Sequence, residues 1–399
     1  MSALSALSAS ALPAATVTAA TVTTATVTTA SATASTMAAT ASTATAVTPS
    51  TATPSTRRAA LGGRGGSVRE ELRRLGAGTP PTPLVCVGAE VKGRQVIVRL
   101  KLEGAGTWGS IKDRTALSLL RSVADRLDVP GAALVESTSG NLGVALASAA
   151  RALGISFTAV VDPSLSPVLA ERMTGLGAVL SEVRLRDAQG GYLSARLDRV
   201  AALLAADPAL VWTDQYHNPA NPLAHYQGTG PELHKQAPGS MDAVFVAVST
   251  GGTLAGLGRY LRQRRPKARV IAVDVPGSRV FADPAGTRLL TGIGASRPSA
   301  FLRPGDWDDV VIVDDADAVS HCHALAGTTG IRLGGSSGAV LAACTRYLAE
   351  HPEITSPVCV CPDSGGNYTQ TLYAPMWLAD RGVEVTRDLP AAFLTREHS

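Results

Sequence analysis

Charge is missing from the whole amino-terminal stretch of this chain. Met1 to Thr56 contain no Asp, Glu, Lys or Arg and are built almost wholly from Ala, Ser, Thr and Val. No apolar run there approaches the ~18 residues a membrane span needs, because Thr and Ser interrupt every one. The same lack of charge argues against a secretory signal, since no basic segment precedes an apolar one. Such a segment buries too little apolar surface to offset its ordering entropy. Residues 1–65 are therefore expected to be a disordered Ala/Ser/Thr-rich leader, or the product of a start codon set too far upstream, with no part in the chemistry.

Cysteine is scarce as well. The five present (Cys86, Cys322, Cys344, Cys359 and Cys361) show neither metal-site spacing nor a paired framework. Cys359-Val-Cys361 sits in an apolar run that reads as a strand, and alternation puts both thiols on one face as buried small hydrophobes. A reducing cytoplasm is the expected compartment. The net charge is only +4 over 399 residues, and the basic residues are scattered rather than gathered into a stripe, so a nucleic-acid surface is not expected. His217, His225, His234, His321 and His323 have no ligand-like arrangement. They are expected at the surface or in loops, and no metal site is expected.

What is present begins after Arg57-Arg58 and the joint Gly62 to Gly66. Short β-branched runs alternate with amphipathic stretches. Strands are expected at Val96–Leu100, Ala133–Glu136, Ser156–Val161, Ala178–Val183, Leu210–Thr213, Ala243–Val248, Arg269–Val275, Val310–Val313 and Val358–Cys361. Helices are expected at Leu142–Leu153, Val168–Leu176, Tyr192–Ala206, Leu254–Arg264 and Ala339–Glu350. The alternation predicts an α/β protein with parallel sheets covered by helices.

In such sheets ligands sit beyond the carboxyl ends of the strands, where glycine-containing turns lead into helices. Three turns have that form: Ser137-Thr138-Ser139-Gly140-Asn141, Ser249-Thr250-Gly251-Gly252-Thr253, and Gly334-Gly335-Ser336-Ser337-Gly338. The turn Ser249–Thr253 has the character of a phosphate cradle, with close backbone approach, free N–H groups at a helix start and hydroxyl donors. Ser137, Thr138 and Ser139, at the start of another helix, offer hydroxyls and N–H groups for a carboxylate. Upstream, Gly109-Ser-Ile-Lys112-Asp-Arg114 puts a single lysine at the mouth of a helix, just after an apolar strand.

Lys112 with its flanking segment and Glu136-Ser-Thr-Ser-Gly-Asn141 together resemble the cofactor lysine and asparagine loop of the fold-type II pyridoxal-phosphate enzymes. That group contains cysteine synthase and the tryptophan synthase β-subunit. The resemblance implies two parallel-sheet α/β domains, pyridoxal 5'-phosphate as cofactor, and a homodimer. A large cofactor domain would take residues 66–108 and 216–386, a small mobile substrate domain residues 109–215, and a tail residues 387–399. Lys112 would form the imine with the cofactor and shuttle the Cα proton, helped by a lowered pKa. Asn141 would meet the ring hydroxyl. Ser249, Thr250, Gly251, Gly252 and Thr253 would hold the phosphate. Ser336, with Ser337 as the alternative, would meet the pyridine nitrogen; a neutral hydroxyl there favours elimination at Cβ over transamination. Ser137, Thr138, Ser139 and Gly140 would take the substrate carboxylate.

Further segments resemble one branch of that family, the N-(2-amino-2-carboxyethyl)-L-glutamate synthases. These are Glu136 to Gly143 (with Leu142 after the asparagine), Val161-Asp-Pro163, Asp187 with Gly190-Gly191-Tyr192-Leu193, Asp214-Gln215-Tyr216, His225-Tyr226, and Gly292-Ile-Gly-Ala-Ser-Arg297. The branch implies a β-replacement that passes through an enzyme-bound aminoacrylate. It joins O-phospho-L-serine to the amino group of L-glutamate for 2,3-diaminopropionate, in siderophore (staphyloferrin B type) or peptide-antibiotic biosynthesis. Phosphoserine carries about two negative charges and suits an arginine fork. Arg196, on a predicted helix, is the candidate, against the alternative of a solvated helix arginine. Arg297 meets a glutamate carboxylate or braces its loop, and Tyr216 is a substrate contact or a core aromatic. The turn Thr250-Gly-Gly-Thr253 has the form usual in cysteine synthase, so cysteine synthesis from O-acetylserine or O-phosphoserine with sulfide is the alternative reading.

Overall fold

The computed structural model describes residues 66–186, 191–281, 286 and 288–394. The expected leader 1–65, the segment Asp187–Gly190 and residues 395–399 of the expected tail lie outside the described residues.

Two sheets carry the fold. The strands are β1 (Leu84–Val91), β2 (Arg94–Leu102), β3 (Ala133–Ser137), β4 (Phe157–Val161), β5 (Val179–Glu182), β6 (Leu210–Trp212), β7 (Ala243–Ala247), β8 (Arg269–Asp274), β9 (Asp309–Ile312), β10 (Pro357–Cys361) and β11 (Ala391–Leu394). One sheet has seven strands in the order β11-β1-β2-β10-β7-β8-β9, and the other has four in the order β5-β4-β3-β6. The four-stranded sheet is parallel throughout. In the larger sheet the run from β2 to β9 is parallel, while β1 pairs antiparallel with both β2 and β11. Each of the nine strands expected from the sequence is present.

The antiparallel edge was not expected. Lys92 and Gly93 both take positive φ (48° and 75°), the twist a two-residue hairpin turn requires, and Val91 pairs with Arg94 across it. Residues 391–394, read from the sequence as tail, pair instead with Gly88–Val91 as β11. Phe393 is buried in the core by that pairing.

Parallel strands covered on both faces read as continuous apolar runs, and β10 and β7 show it. All five residues of β10 are buried, Cys359 and Cys361 among them as the alternation predicted. Along β7, Ala243 and Phe245 enter one core, with the helices Asp315–Thr329 and Gly335–Glu350. Val244 and Val246 enter the other, with the helix Gly252–Arg264. Two faces are thereby sealed, and only the strand ends remain for a ligand.

Candidate active site

Strands β2, β10 and β7 are parallel neighbours, so the segments that leave their carboxyl ends emerge side by side. After β2 comes the stretch leading to Lys112, after β10 the turn Pro362–Tyr368, and after β7 the turn Ser249–Thr253. Ile111 N–H donates to the Pro362 carbonyl at 2.7 Å, and Ser110 bridges Asp363. Between them lies a cavity of about 370 Å3, counting its open mouth, lined by Lys112, Ser249, Thr250, Gly251, Thr253 and Gly292. Ile111, Val246 and Val360 supply apolar wall.

Two lysines are shielded here, and their partners separate their roles. Lys101 is fully buried, and its Nζ donates to Thr82 O (2.7 Å), Glu232 Oε2 (2.7 Å) and Gln236 Oε1 (2.8 Å). An ammonium has three donors, so Lys101 is saturated and structural. Lys112 Nζ forms no hydrogen bond or ion pair among the described residues. Desolvation pushes its pKa down, opposed by the charge of Asp363. A cavity-lining amine held toward its neutral form is a nucleophile and a proton carrier.

Arg114, two positions after the lysine, anchors the helix Lys112–Ser122. It donates to Glu103 Oε2 (2.7 Å) and to both oxygens of Glu232 (2.6 and 2.7 Å). These bonds tie the first turn of the helix to the end of β2 and to the helix Gly230–Gln236, which fixes where Lys112 starts.

The turn Ser249–Thr253 has the form of an anion cradle. Gly251 takes φ of 90° and precedes the helix Gly252–Arg264. Thr250 O accepts from Ser299 Oγ at 2.6 Å, Thr250 Oγ1 accepts from Asn221 Nδ2 at 3.2 Å, and Ser249 Oγ donates to Gly294 O at 3.0 Å. Among the described residues no backbone acceptor is engaged by the N–H groups of Thr250 to Thr253, which leaves donors and the positive end of a helix at the cavity. Thr253 Oγ1 also lies 3.3 Å from His225 Nε2, and Thr115 Oγ1 lies 3.2 Å from the same nitrogen.

His225 opens a π-helical turn and is fully buried, not at the surface as the sequence suggested. Burial, with Lys112 and Arg114 nearby, holds its pKa well below the usual imidazole value, so the ring is neutral. It joins the Lys112 helix to the anion cradle. His321 is likewise buried, between Asp317 O and Thr345 Oγ1, whereas His217 is exposed as expected.

The loop after β3 is more internally engaged than the sequence implied. Ser137 N–H donates to its neighbour Glu136 Oε1 (2.8 Å) and Thr138 N–H to Val160 O (2.9 Å). Ser137 Oγ is enclosed with no hydrogen-bond partner among the described residues. The N–H groups of Ser139, Gly140 and Asn141, half-buried at the start of the helix Asn141–Ala152, engage no backbone acceptor among the described residues. Asn141 Nδ2 donates to Asp363 Oδ2 at 2.7 Å, and its Oδ1 accepts from Asn367 Nδ2 at 3.1 Å.

Arg196 reaches this loop from the helix Leu193–Ala206. Its Nη1 donates to Ser139 Oγ (3.1 Å) while its Nε lies 3.1 Å from Asp162 Oδ2, and the side chain is only 11% exposed. It is not a solvated helix arginine. Arg297 stacks over the Tyr216 ring (4.9 Å from guanidinium carbon to ring centre), and its Nη2 lies 3.4 Å from His217 Nε2. The Tyr216 ring is thus half-exposed under a cation and not a core aromatic. No carboxylate pairs with Arg297 among the described residues. Ser336 is buried one position into the helix Gly335–Glu350, and a methyl group added at cavity-lining Gly292 would lie 3.8 Å from its Oγ. Ser337 Oγ is enclosed without a hydrogen-bond partner among the described residues.

Sequence reasoning missed Asp363, Asn367, Tyr368 and Arg172, and beyond expecting a surface or loop histidine it named His225 only within a segment shared with the synthase branch. A signal existed for the first three: Pro362-Asp-Ser-Gly-Gly-Asn-Tyr368 is a further glycine-containing turn directly after an expected strand. Asp363 is fully buried and its pKa is pushed up to about 6 by desolvation, against the pull of Tyr368, Asn141 and Lys112.

A free amine, an anion cradle and a buried hydroxyl around one cavity fit a phosphorylated aldehyde with a basic ring. The comparisons with known proteins agree. A family model described as pyridoxal-phosphate dependent enzyme matches residues 72–364. N-(2-amino-2-carboxyethyl)-L-glutamate synthase of Ralstonia nicotianae is 43% identical over 299 residues, covering 75% of this chain and 88% of that protein. The protein of the same name from Cupriavidus metallidurans is 38% identical over 302 residues, covering 75% and 89%. The crystal structure of O-ureido-L-serine synthase superposes with a TM-score of 0.67 at 30% identity, covering 82% of this chain and 98% of that one. By family model, by sequence identity and by fold, this chain belongs to the pyridoxal-phosphate dependent enzymes of fold type II.

Proposed function

We propose that this enzyme joins O-phospho-L-serine to the amino group of L-glutamate, giving N-(2-amino-2-carboxyethyl)-L-glutamate and inorganic phosphate. The observation that carries the reading is Arg196, hydrogen-bonded to Ser139 beside Asn141 rather than turned to solvent. The names of the Ralstonia and Cupriavidus relatives support it. So does the second cation: Arg297, braced by Tyr216 and His217, is suited to a carboxylate of the incoming glutamate.

Pyridoxal phosphate, when bound, supplies a carbonyl that condenses with amines and a ring that takes up negative charge from Cα. Lys112 Nζ would carry it, the N–H groups of Thr250 to Thr253 and the hydroxyls of Thr250 and Thr253 would hold its phosphate, Ser249 would brace that turn through its bond to Gly294 O, Asn141 would face the ring hydroxyl and Ser336 the ring nitrogen. Ser139, Gly140 and their N–H groups receive the phosphoserine carboxylate, with Ser137 and Thr138 shaping the loop from beneath. Lys112 Nζ removes the Cα proton and later returns it. Arg196 takes the charge of the phosphate as it leaves Cβ. The glutamate amine then forms the new bond at Cβ. The segment 109–215 closes over the two amino acids, and the enzyme works as a homodimer in the cytoplasm of a siderophore or peptide-antibiotic producer.

The test is direct. Purified enzyme is given O-phospho-L-serine with L-glutamate, and separately O-acetylserine with sulfide; products are resolved by mass spectrometry and phosphate release is counted. The glutamate adduct with one phosphate per product is expected. Cysteine from acetylserine and sulfide, with no glutamate adduct, would overturn the proposal and leave Arg297 a loop brace.

A further inference from the structure

Four side chains beside the cavity form a hydrogen-bond relay with a fixed direction. Arg172 Nη1 donates to Asn367 Oδ1 (2.5 Å), Asn367 Nδ2 donates to Asn141 Oδ1 (3.1 Å), and Asn141 Nδ2 donates to Asp363 Oδ2 (2.7 Å). A guanidinium can only donate and a carboxylate can only accept, so the two ends dictate which way both carboxamides face. Reversing Asn141 would set its oxygen against Asp363 Oδ2 and its amide nitrogen against that of Asn367, two like-with-like contacts in a buried setting. Tyr368 OH donates to the same Asp363 oxygen at 2.5 Å, which holds the carboxylate in place. Asp363 Oδ1, enclosed and without a hydrogen bond among the described residues, lies against Gly334 at the start of the helix Gly335–Glu350.

We propose that Asp363 and Arg172 are positioning residues that fix the polarity of the Asn141 carboxamide, so that the amide meets the cofactor ring as a donor. Asn141 Nδ2 carries a second N–H, which the Tyr368 hydroxyl meets in this structure and an oxygen of the cofactor ring can take over, while its carbonyl is held away on Asn367. The relay also crosses between the two sheets. Asn141 and Arg172 belong to helices that follow strands of the four-stranded sheet, and Asp363 and Asn367 follow β10 of the other. Any opening of residues 109–215 must break it at the Arg172–Asn367 bond and at both bonds of Asn141. The inference rests on family membership and not on which amino acids the enzyme joins.

The experiment reads cofactor binding rather than turnover. Cofactor is removed, then titrated back into the parent, Asp363→Asn, Asn141→Ala, the double variant and Arg172→Met, following protein fluorescence and the absorbance maximum of the bound cofactor. Melting temperatures of the cofactor-free proteins control for folding. Asp363→Asn and Asn141→Ala are each expected to weaken cofactor binding by on the order of tenfold and to shift the absorbance maximum. A residue that acts through Asn141 has nothing left to act on once the amide is gone, so the double variant should match Asn141→Ala within about twofold. Additive losses in the double variant, or an Asp363→Asn protein within about twofold of the parent with an unshifted maximum, would overturn the proposal. Should Asp363→Asn fail to fold, half-buried Arg172→Met decides alone: it should show the same shift and a weaker loss, and parent-like binding there refutes the relay.

Discussion

Gly251→Ala probes the anion cradle at its most constrained point. Gly251 has φ of 90°, and a Cβ there would overlap Ser299 Oγ and stand 2.9 Å from Ser299 Cβ and 3.1 Å from Leu302 Cγ. Relief requires Ser299 to move, which breaks its 2.6 Å hydrogen bond to Thr250 O. Left-handed backbone at a non-glycine residue costs about 1–2 kcal/mol. The lost hydrogen bond adds about 1 kcal/mol. The turn escapes both by opening, and the whole cost then falls on cofactor binding. About 2–3 kcal/mol corresponds to a roughly 30- to 140-fold weaker affinity. The assay is fluorescence titration of the cofactor-free protein with pyridoxal phosphate. Gly305→Ala is the control: it has φ of 93° and nothing within 4 Å of the added methyl, so it carries the backbone strain without the clash and should leave cofactor affinity unchanged. Binding by Gly251→Ala within about threefold of the parent would refute the cradle as described.

Arg196→Ala should raise the KM for phosphoserine by roughly 10- to 100-fold, the worth of a charge-assisted hydrogen-bond pair, and change that for O-acetylserine far less; equal effects on both donors would remove its phosphate role. In cofactor-free enzyme, Lys112 should be acylated with a pH midpoint below the ~10.4 of a free lysine, because burial favours its neutral form, while hydrogen-bonded Lys101 stays protected; peptide mapping by mass spectrometry that finds Lys112 no more reactive than surface lysines would sink the assignment. Glu136, buried beneath the asparagine loop, has its pKa pushed up to about 7, burial outweighing donors from Thr213, Trp212 and Ser137. A raised folded-state pKa means stability fully present below the unfolded value and lost as pH rises through about 7. The parent should therefore lose stability relative to Glu136→Gln between pH ~5 and ~8, and a pH-independent difference in urea midpoints would contradict this.

The strands and the chemistry at their ends were legible in the sequence because both are local. Continuous apolar runs such as Val358–Cys361 mark strands sealed on two faces, and turns such as Ser249–Thr253 announce helix starts with donors to spare. Lys112 and Asn141 could be singled out from short segments alone. The edge formed by β1 and β11 was not legible, since β11 is only four residues long and gains its identity from pairing with a strand some three hundred positions earlier. The same holds within the site. The local segment pointed to Lys112, but that Lys101 is saturated while Lys112 is not was decided by Glu232 and Gln236, more than a hundred residues away. Nothing local sets the direction of the Asn141 amide, which depends on Asp363 and Asn367 across the gap between two sheets. Arg196 could be named from the sequence, but only folding decided that it faces Ser139 and Asp162 rather than water. Residue type and spacing determined which groups this enzyme possesses. Tertiary structure decided which of them keep a free valence for a ligand, because a donor is free only when no distant partner has been folded onto it.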